Sequence, residues 1–398
     1  MHGIRDAIVD IDYKQIEEIN KTVILKAKEN KIFRKNKVDG LTVMAWDGVE
    51  LSETKKNIVG LPEREYEQLG EIRKYVKYVC GMNIGPLANI MVTSKQLLEV
   101  EKITTKTGKE RAKTIGETKA FESMWKDTEK VIGGIVDVHV FDALYLTQDI
   151  TNTINDAHRY FVIRLKDESR LIYQDAKGLF EHKKSDYQYE IVEHTIVKDI
   201  KYSKAAKKKS VVKTKIKKEK RNITNEKLGE KKFISEKIQT RKNSTVTIKE
   251  YEMVVTRKEV WDDTFELTGY KDIARVIRSK EIIYRDGKEI EQELYVVTNM
   301  FEHDVETILT IMHLRWNIEN NGFRTLKQRY NLEHIFVGEI NAINYMVQII
   351  FLAFNLLELY MKIRLKECLK LTWSMITKCF EDDLRHDKTL IPLFNNSV

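Results

Sequence analysis

A short helix is predicted for the stretch LRWNIENNGFRTLK, residues 314–327, and the rest of the chain is best understood outward from it. Arg315, Glu319 and Phe323 recur at intervals of four, which places them on one face of a helix. Lys327 flanks that face, so a single carboxylate lies between two cations on a partly apolar surface. Two interpretations fit. One is a salt-bridged surface helix, whose Arg–Glu pair contributes only a few tenths of a kcal/mol. The other is a functional carboxylate.

Two carboxylates further upstream favour the functional interpretation. Asp47 follows the apolar run LTVMAW (41–46) and Asp142 follows VIGGIVDVHVF (131–141), so both are expected at strand ends. Asp47 is followed by Gly48, and this pair alone is equally typical of an ordinary turn closing the strand. Convergence of three carboxylates is easiest from two strand ends and one helix packed against the sheet.

Asp137 and His139 compete with Asp142 for the same role. Both are expected in the middle of the strand, at positions whose parity differs from that of Asp142, so they should face the other side of the sheet. An Asp–His pair within a strand is more typical of hydrogen bonding or exposure than of a metal site. We therefore prefer Asp142.

Composition limits the class of protein. The chain has 398 residues, enough for two or three structural units, and carries a formal charge of +8, which suits an anionic partner. Cys80, Cys368 and Cys379 are widely spaced, so neither a disulfide framework nor a zinc site is expected and a reducing cytoplasm fits. The first ten residues contain no apolar signal segment. Residues 343–361 are the most apolar run, but polar residues interrupt it, which favours a buried helix over a membrane span. The polar residues that interrupt the run are Asn344, Gln348, Asn355 and Glu358.

The order of elements predicts a mixed α/β sheet followed by a strand-rich insertion. We expect a helix over 14–32, strands over 75–85 and 88–92, helical structure over 95–130, then a helix over 147–157 and a strand over 160–165. Helical periodicity resumes at about Asp304 and continues through Tyr330. The expected division is a helical region 1–38, a catalytic domain in two parts, 39–165 and 293–366, an insertion 166–292, and a tail 367–398.

Within the insertion, residues 201–242 are rich in lysine and poor in apolar residues. Such segments are usually solvated or disordered, and the alternative is an electrostatic arm along a phosphate backbone. Further on, IIYRDGKEIEQELYVV predicts a hairpin closed at Asp286-Gly287.

The pattern RW-x-IEN-x-x-F-x-x-LK resembles the signature of the DDE transposases of bacterial insertion sequences, in the branch with a Tyr-Arg-Glu-Lys motif. Arg315 and Lys327 flank Glu319 as the Arg and Lys of that motif flank its Glu. Met312 stands where the motif has Tyr, and Lys327 falls one residue late, an offset that Gly322 would explain by adding a residue. WDGVELSETKK and VFDALY resemble the blocks that carry the family's first and second catalytic Asp.

The resemblance implies an α/β, RNase H-like mixed sheet with flanking helices, interrupted by a β-rich insertion. It implies that Asp47, Asp142 and Glu319 are catalytic and hold two Mg²⁺ (or Mn²⁺) ions, for cleavage and strand transfer at transposon ends. The chemistry requires such a set, since one ion activates the attacking group, the other stabilises the leaving oxygen, and magnesium takes oxygen ligands. A homodimer bridging two DNA ends is expected, in the cytoplasm with the nucleoid and away from membranes.

Four residues are expected to contact DNA. Arg315 and Lys327 would contact phosphates near the scissile bond. Trp316 would stack on a base or fill the core, and the core is the more common place for a helical Trp. Trp261 corresponds to the insertion tryptophans that hold a flipped base in the family.

Two alternatives stay open: an RNase H-like nuclease without strand transfer, and an inactive DNA-binding remnant. Relatives of this type carry a longer helical DNA-binding region before the first Asp, whereas 46 residues precede Asp47 here. This predicts an N-terminally truncated copy that binds DNA with little preference for any terminal repeat.

Overall fold

The computed structural model describes residues 8–66, 68–104, 110–203, 210–334, 337–361, 375–378 and 381–382. Most of the expected tail 367–398, including Cys368 and Cys379, and the first seven residues of the expected helical region lie outside them. The chain divides into two compact units. The first comprises 1–164, 268–271 and 298–398, and the second comprises 165–267 and 272–297.

Up to residue 165 the chain begins with helices, continues with six strands, and then alternates between helices and strands. The strands are β1 Val43–Thr54, β2 Glu63–Tyr66, β3 Glu71–Ile84, β4 Ile90–Gln96, β5 Glu99–Thr104, β6 Glu110–Thr114, β7 Val138–Phe141 and β8 Tyr160–Leu165. The helices are α1 Lys14–Glu29, α2 Ile32–Lys35, α3 Glu117–Ile132 and α4 Gln148–Asp156, and a 3₁₀ turn spans Ala143–Tyr145.

The sheet of the first unit has the order β4–β3–β1–β7–β8, and β2 pairs with β3 on the same side as β4. β1 runs antiparallel to β3 and parallel to β7, and β7 runs parallel to β8. Because parallel neighbours need a crossover, α4 connects β7 to β8. Its first turn is capped by Thr147, whose side chain accepts from the Ile150 N–H.

The predicted turn at Asp47-Gly48 is wrong, because β1 continues through both residues to Thr54. β3 supplies antiparallel partners to the whole strand, pairing Asp47 with Cys80 and Gly48 with Val79. Glycine is needed here for another reason. A Cβ at residue 48 would clash with the Glu117 carboxylate, from which it would lie only 2.5 Å away.

The helix predicted over 95–130 is correct only in its second half. β5 and β6 form a two-stranded hairpin, and α3 begins at Glu117 after Gly116. Threonine recurs in the hairpin sequence and favours a strand over a helix.

An aromatic cluster fills one face of the sheet. The Trp46 and Phe121 rings meet edge to face at 4.7 Å, Phe121 and Phe141 at 5.3 Å, and Phe121 lies 5.5 Å from Trp125. These contacts fasten α3 onto β1 and β7.

The second unit holds α5 Leu171–His182 and a sheet of six strands. They are β9 Tyr187–Tyr202, β10 Val211–Arg221, β11 Lys231–Arg241, β12 Ser244–Glu266, β13 Ile273–Arg285 and β14 Lys288–Thr298, the last ending at the unit boundary. Their order is β10–β9–β12–β13–β14, and β11 pairs with the first half of β12. Asp286 and Gly287 have φ of 51° and 80°, as the predicted hairpin requires. Of the two states expected for the Lys-rich segment, disorder is wrong for residues 211–221 and 231–241, which are strands, whereas their side chains are largely solvated; residues 204–209 lie outside the described residues.

After residue 298 the chain is helical, as predicted. α6 Val305–Leu314 is capped by Asp304, which accepts from the Thr307 N–H at 2.9 Å. A π-helical segment, Ile318–Phe323, continues into α7 Arg324–Arg329, and α8 Ile340–Leu359 follows.

Helix α8 is the one described helix apolar and long enough to cross a membrane, but its polar residues tie it to the protein core. Asn344 accepts from the Tyr78 hydroxyl at 2.7 Å and donates to Gln96. Asn355 exchanges hydrogen bonds with the backbone of Met91, and Gln348 donates to Ser94. The buried helix is therefore confirmed.

The fold is the expected α/β, RNase H-like mixed sheet with flanking helices, whose chain is interrupted by a β-rich insertion.

Candidate active site

Asp47 lies in β1 and Asp142 directly follows β7, and each stands two residues beyond the last register pair of these parallel strands, Ala45 with Val140. β1 and β7 pair Val43 with Val138 and Ala45 with Val140, an offset of 95 residues that also separates the two aspartates. The register holds at the preceding position, where the Trp46 and Phe141 rings stack at 6.4 Å with an interplanar angle of 10°. Neighbouring strands lie about 4.8 Å apart, and alternation turns both aspartates to the face opposite those rings.

The Asp47 carboxylate is partly buried and held from two directions. Oδ1 accepts from the Gly48 N–H at 2.8 Å, and Oδ2 lies 3.0 Å from Arg315 Nη1. Burial raises the pKa of Asp47 to about 7; the Arg315 guanidinium opposes this rise and the Glu319 carboxylate adds to it. A carboxyl that titrates near neutral pH next to a second carboxylate is typical of functional sites.

Arg315 joins Asp47 to Glu319. Its side chain is only 3% exposed, and while Nη1 binds Asp47, Nη2 lies 2.8 Å from Glu319 Oε1. The ion pair that the four-residue spacing predicts is present and Glu319 is half exposed, but the cation is buried between two elements, unlike that of an ordinary surface pair. The geometry also places the guanidinium on carboxylates, so that in this conformation it is not presented to DNA phosphates.

Asp142 ends β7 at the start of the 3₁₀ turn. Its Oδ1 is buried and has no hydrogen-bond partner in the protein. A buried carboxylate oxygen left unpaired is costly unless something else binds it, and the oxygen donors of Asp142 and Asp47 suit a hard divalent cation. Among the residues that the structure describes, however, no three His, Cys, Asp or Glu side chains are close enough to hold a metal ion. The aspartate pair fits a metal, while Glu319 is held on Arg315.

Glu117 is a fourth carboxylate that the sequence did not single out. Its Oε2 accepts from the Tyr145 hydroxyl at 3.0 Å, and Oε1 lies 2.6 Å from Lys77 Nζ. It packs against Gly48, and it raises the pKa of Asp47 slightly. No sequence signal identifies it, since an acidic residue in the first turn of a helix is ordinary.

Asp137 and His139 have structural partners. Asp137 directly precedes β7 and accepts from the Thr42 N–H at 2.7 Å, at the opposite end of the strand from Asp142, so its expected mid-strand position is wrong. His139 does lie within β7, where its Nδ1 accepts from Trp46 Nε1–H at 3.0 Å. Burial, with a smaller effect of Arg159, lowers the pKa of His139 to about 3, so the ring is neutral.

The π-helical segment accounts for the spacing of Lys327. A π-helical turn accommodates one more residue than an α-helical turn, and the segment contains Gly322, whose Cβ would lie 2.4 Å from Met82 Cε. Leu326 is buried, and Lys327 lies 2.8 Å from Glu333 at the edge of the site.

The two tryptophans differ from expectation. Trp316 is 44% exposed, so the core position expected for it is wrong. Trp261, in the second unit, is 7% exposed, donates from Nε1 to the Lys183 carbonyl at 2.8 Å, and has Arg278 4.6 Å above its ring. In this conformation its ring is not open to a base.

The mixed sheet with its flanking helices defines the fold class as RNase H-like. The model of the transposase DDE domain matches residues 115–356, more than half of the chain. The chain therefore belongs to the family of transposases with a DDE domain, enzymes of the polynucleotidyl-transferase and nuclease type that act on DNA in transposition. The matched region contains Asp142, Arg315 and Glu319 and begins after Asp47. No curated protein matches the chain.

Proposed function

We propose that this protein cleaves DNA strands at the ends of an insertion sequence and joins them to target DNA, with Asp47, Asp142 and Glu319 as its catalytic carboxylates. The observation that carries the proposal is the link from Asp47 to Glu319 through one buried arginine, with Asp142 at the corresponding position beyond the neighbouring parallel strand.

Asp47 and Asp142 would hold magnesium or manganese, and Glu319 would complete a site for two ions. When bound, the ions activate the attacking water or 3′-hydroxyl and stabilise the leaving oxygen. The three carboxylates supply oxygen ligands, which suits magnesium. The unpaired Oδ1 of Asp142 supports its role as a ligand.

Arg315 acts in this proposal as a positioning residue, because it fixes the Asp47 and Glu319 carboxylates relative to each other in the absence of an ion. Lys327, which is partly exposed and paired with Glu333, and the exposed Trp316 are the remaining candidates for DNA contact on this helix. A role for Trp261 in holding a base requires Arg278 to leave its ring.

The domain division forms part of the proposal: two segments, 39–165 and 293–366, build the catalytic domain, and residues 166–292 form the insertion, with a helical region 1–38 before them and a tail 367–398 after. The working form is a homodimer that holds two DNA ends beside the nucleoid.

The test is cleavage and joining with DNA that carries the element's own ends. Asp47→Asn, Asp142→Asn and Glu319→Gln should each lower magnesium-dependent cleavage at least about a thousandfold, since the ions supply several kcal/mol of transition-state stabilisation. Asp137→Asn is the matched control on the same strand and should retain activity within about threefold, because structural substitutions away from the reacting groups act mainly on stability. Cleavage by Asp142→Asn together with its loss in Asp137→Asn would contradict the assignment. Cleavage without joining of a 3′-hydroxyl end would indicate a nuclease.

A further inference from the structure

The outer half of the sheet in the second unit has two unlike faces. Here four strands lie in the order β10–β9–β12–β11, and the register sorts their side chains by alternation. The exposed large apolar residues Val212, Ile216, Phe233 and Ile238, each 54–66% exposed, lie on one side, which we name the apolar face. Lysines occur on both sides, and those on the other side include four that are exposed and without an ion pair among the described residues.

On this other side, Lys213 of β10 lies directly opposite Lys198 of β9. Lys198 is the partner of Ile248 on β12, and Ile248 is the partner of Lys237 on β11. Lys215 adds a further cation two residues along β10. We name Lys198, Lys213, Lys215 and Lys237 the cationic face. The row that Lys213, Lys198 and Lys237 form spans about 14 Å across the four strands.

All four lysines are exposed, and none makes an ion pair with another residue in the described part of the chain. Like charges directly opposite each other destabilise a sheet, so folding gains nothing from pairing Lys213 with Lys198. Two lysines of the apolar face differ, because they have local partners. Lys249 lies 3.7 Å from Glu236, and Lys231 lies 4.2 Å from the centre of the Tyr251 ring.

We propose that the cationic face binds the phosphate backbone of double-stranded DNA without reading its sequence. Lysine binds phosphate as a point charge, and a row of unpaired lysines on a sheet surface matches a polyanion in charge. On the apolar face, Lys231 and Lys249 already have local partners, so we expect that face to attract a polyanion less strongly. The inference rests on the proposed function for its partner, and it adds a second contact surface made by the insertion.

The experiment compares two charge-matched triple variants of the full chain, with a labelled duplex of arbitrary sequence and a chelator to prevent cleavage. The first is Lys198→Gln, Lys213→Gln and Lys237→Gln. The second, on the apolar face, is Lys218→Gln, Lys231→Gln and Lys249→Gln. Both lose three positive charges from the same sheet. Dissociation constants are measured between about 0.05 M and about 0.2 M salt.

The first variant should weaken binding at least about tenfold at the lower salt and reduce the slope of log Kd against log salt by about three, because each lost phosphate contact removes about 0.9 from it. The second variant should change the slope by less than about one. Replacing the same three residues by arginine keeps the charge and should preserve binding, which separates loss of contact from misfolding.

Equal effects of the two glutamine variants, or an unchanged slope in the first, would overturn the proposal. The proposal would also be overturned if the first glutamine variant bound DNA normally but no longer bound vesicles of anionic lipid. That result would show that the cationic face contacts a membrane surface. The measurement needs no cleavage, so failure of the catalytic assignment leaves its outcome readable, and failure here leaves the cleavage test unaffected.

Discussion

Charged residues of this protein occupy two opposite settings, and Arg315 and Lys213 represent them. Arg315 is buried in the first unit, with one carboxylate on each terminal nitrogen. Lys213 is exposed in the second unit and has another lysine as its nearest cross-strand neighbour. A buried charge requires partners because it has lost its water, whereas an exposed charge keeps its water and tolerates even a like charge beside it.

The two settings therefore suit different tasks. A buried, paired charge has a fixed position, which is what a catalytic carboxylate set needs. An exposed charge has little fixed geometry, but it attracts a polyanion at distances up to about a Debye length, roughly 10 Å at moderate salt. Three substitutions test whether this contrast between the two regions holds.

The largest effect is expected at Arg315. Arg315→Met should lower the free energy of unfolding by about 3 to 5 kcal/mol, because it leaves the partly buried Asp47 carboxylate without its cation. Urea unfolding at neutral pH measures the change. Arg315→Lys keeps the charge but cannot bind both carboxylates with a planar fork, so an intermediate loss is expected. A loss under about 1 kcal/mol for Arg315→Met would place this pair with surface ion pairs.

The second effect concerns His139, a buried group kept neutral. Its pKa in the folded protein is about 3, below the value of 6.5 for an unperturbed histidine, so only the unfolded chain takes up a proton as the pH falls below about 6.5. Stability from this group is complete above that pH and is lost on acidification, by about 1.4 kcal/mol per pH unit until the folded pKa is reached. His139→Asn should remove this part of the difference in unfolding free energy between pH 7.5 and pH 5.5. His158→Asn, at an exposed position, is the control and should leave the difference unchanged. An identical pH dependence in the wild type and the His139 variant would show that burial does not lower the pKa of His139 in the folded protein.

The smallest effect is expected on the cationic face. Lys213→Thr should raise the free energy of unfolding by about 0.2 to 1 kcal/mol, because it removes the repulsion from Lys198 directly opposite. Lys215→Thr is the matched control on the same strand and face, since its register partner is Ile196. It changes the strand preference equally but relieves no directly opposed charge. Equal gains in the two variants would show that the added stability comes from threonine's preference for strands and not from relief of the repulsion between Lys213 and Lys198.

The sequence predicts well those features that depend on a run of neighbouring residues. The strand ending at Asp142, the strand Tyr160–Leu165, and the buried helix α8 each follow from an uninterrupted local pattern. Asp47 and Asp142 could be proposed as candidates from their position after apolar runs. Their shared register could not, because strand pairing is set between segments distant in the chain.

Features decided by distant partners were mispredicted or missed. Asp47-Gly48 has the composition of a turn, but pairing with β3 keeps it extended. Trp316 is exposed because buried Arg315 and Ile318 occupy the inner side of its helix. The Lys-rich segment forms strands because β9 and β12 offer edges with which β10 and β11 can pair. In each case tertiary pairing overrides local preference.

The π-helical segment at Ile318–Phe323 also bears on how relatives of this chain can be found. An extra residue inside a helix usually rotates everything that follows by about 100°, the angle per residue of an α-helix. Here the wider turn can absorb such a residue within a single turn, and Leu326 beyond it remains buried. A signature with fixed intervals therefore fails after Gly322 although the helix surface has not been rearranged.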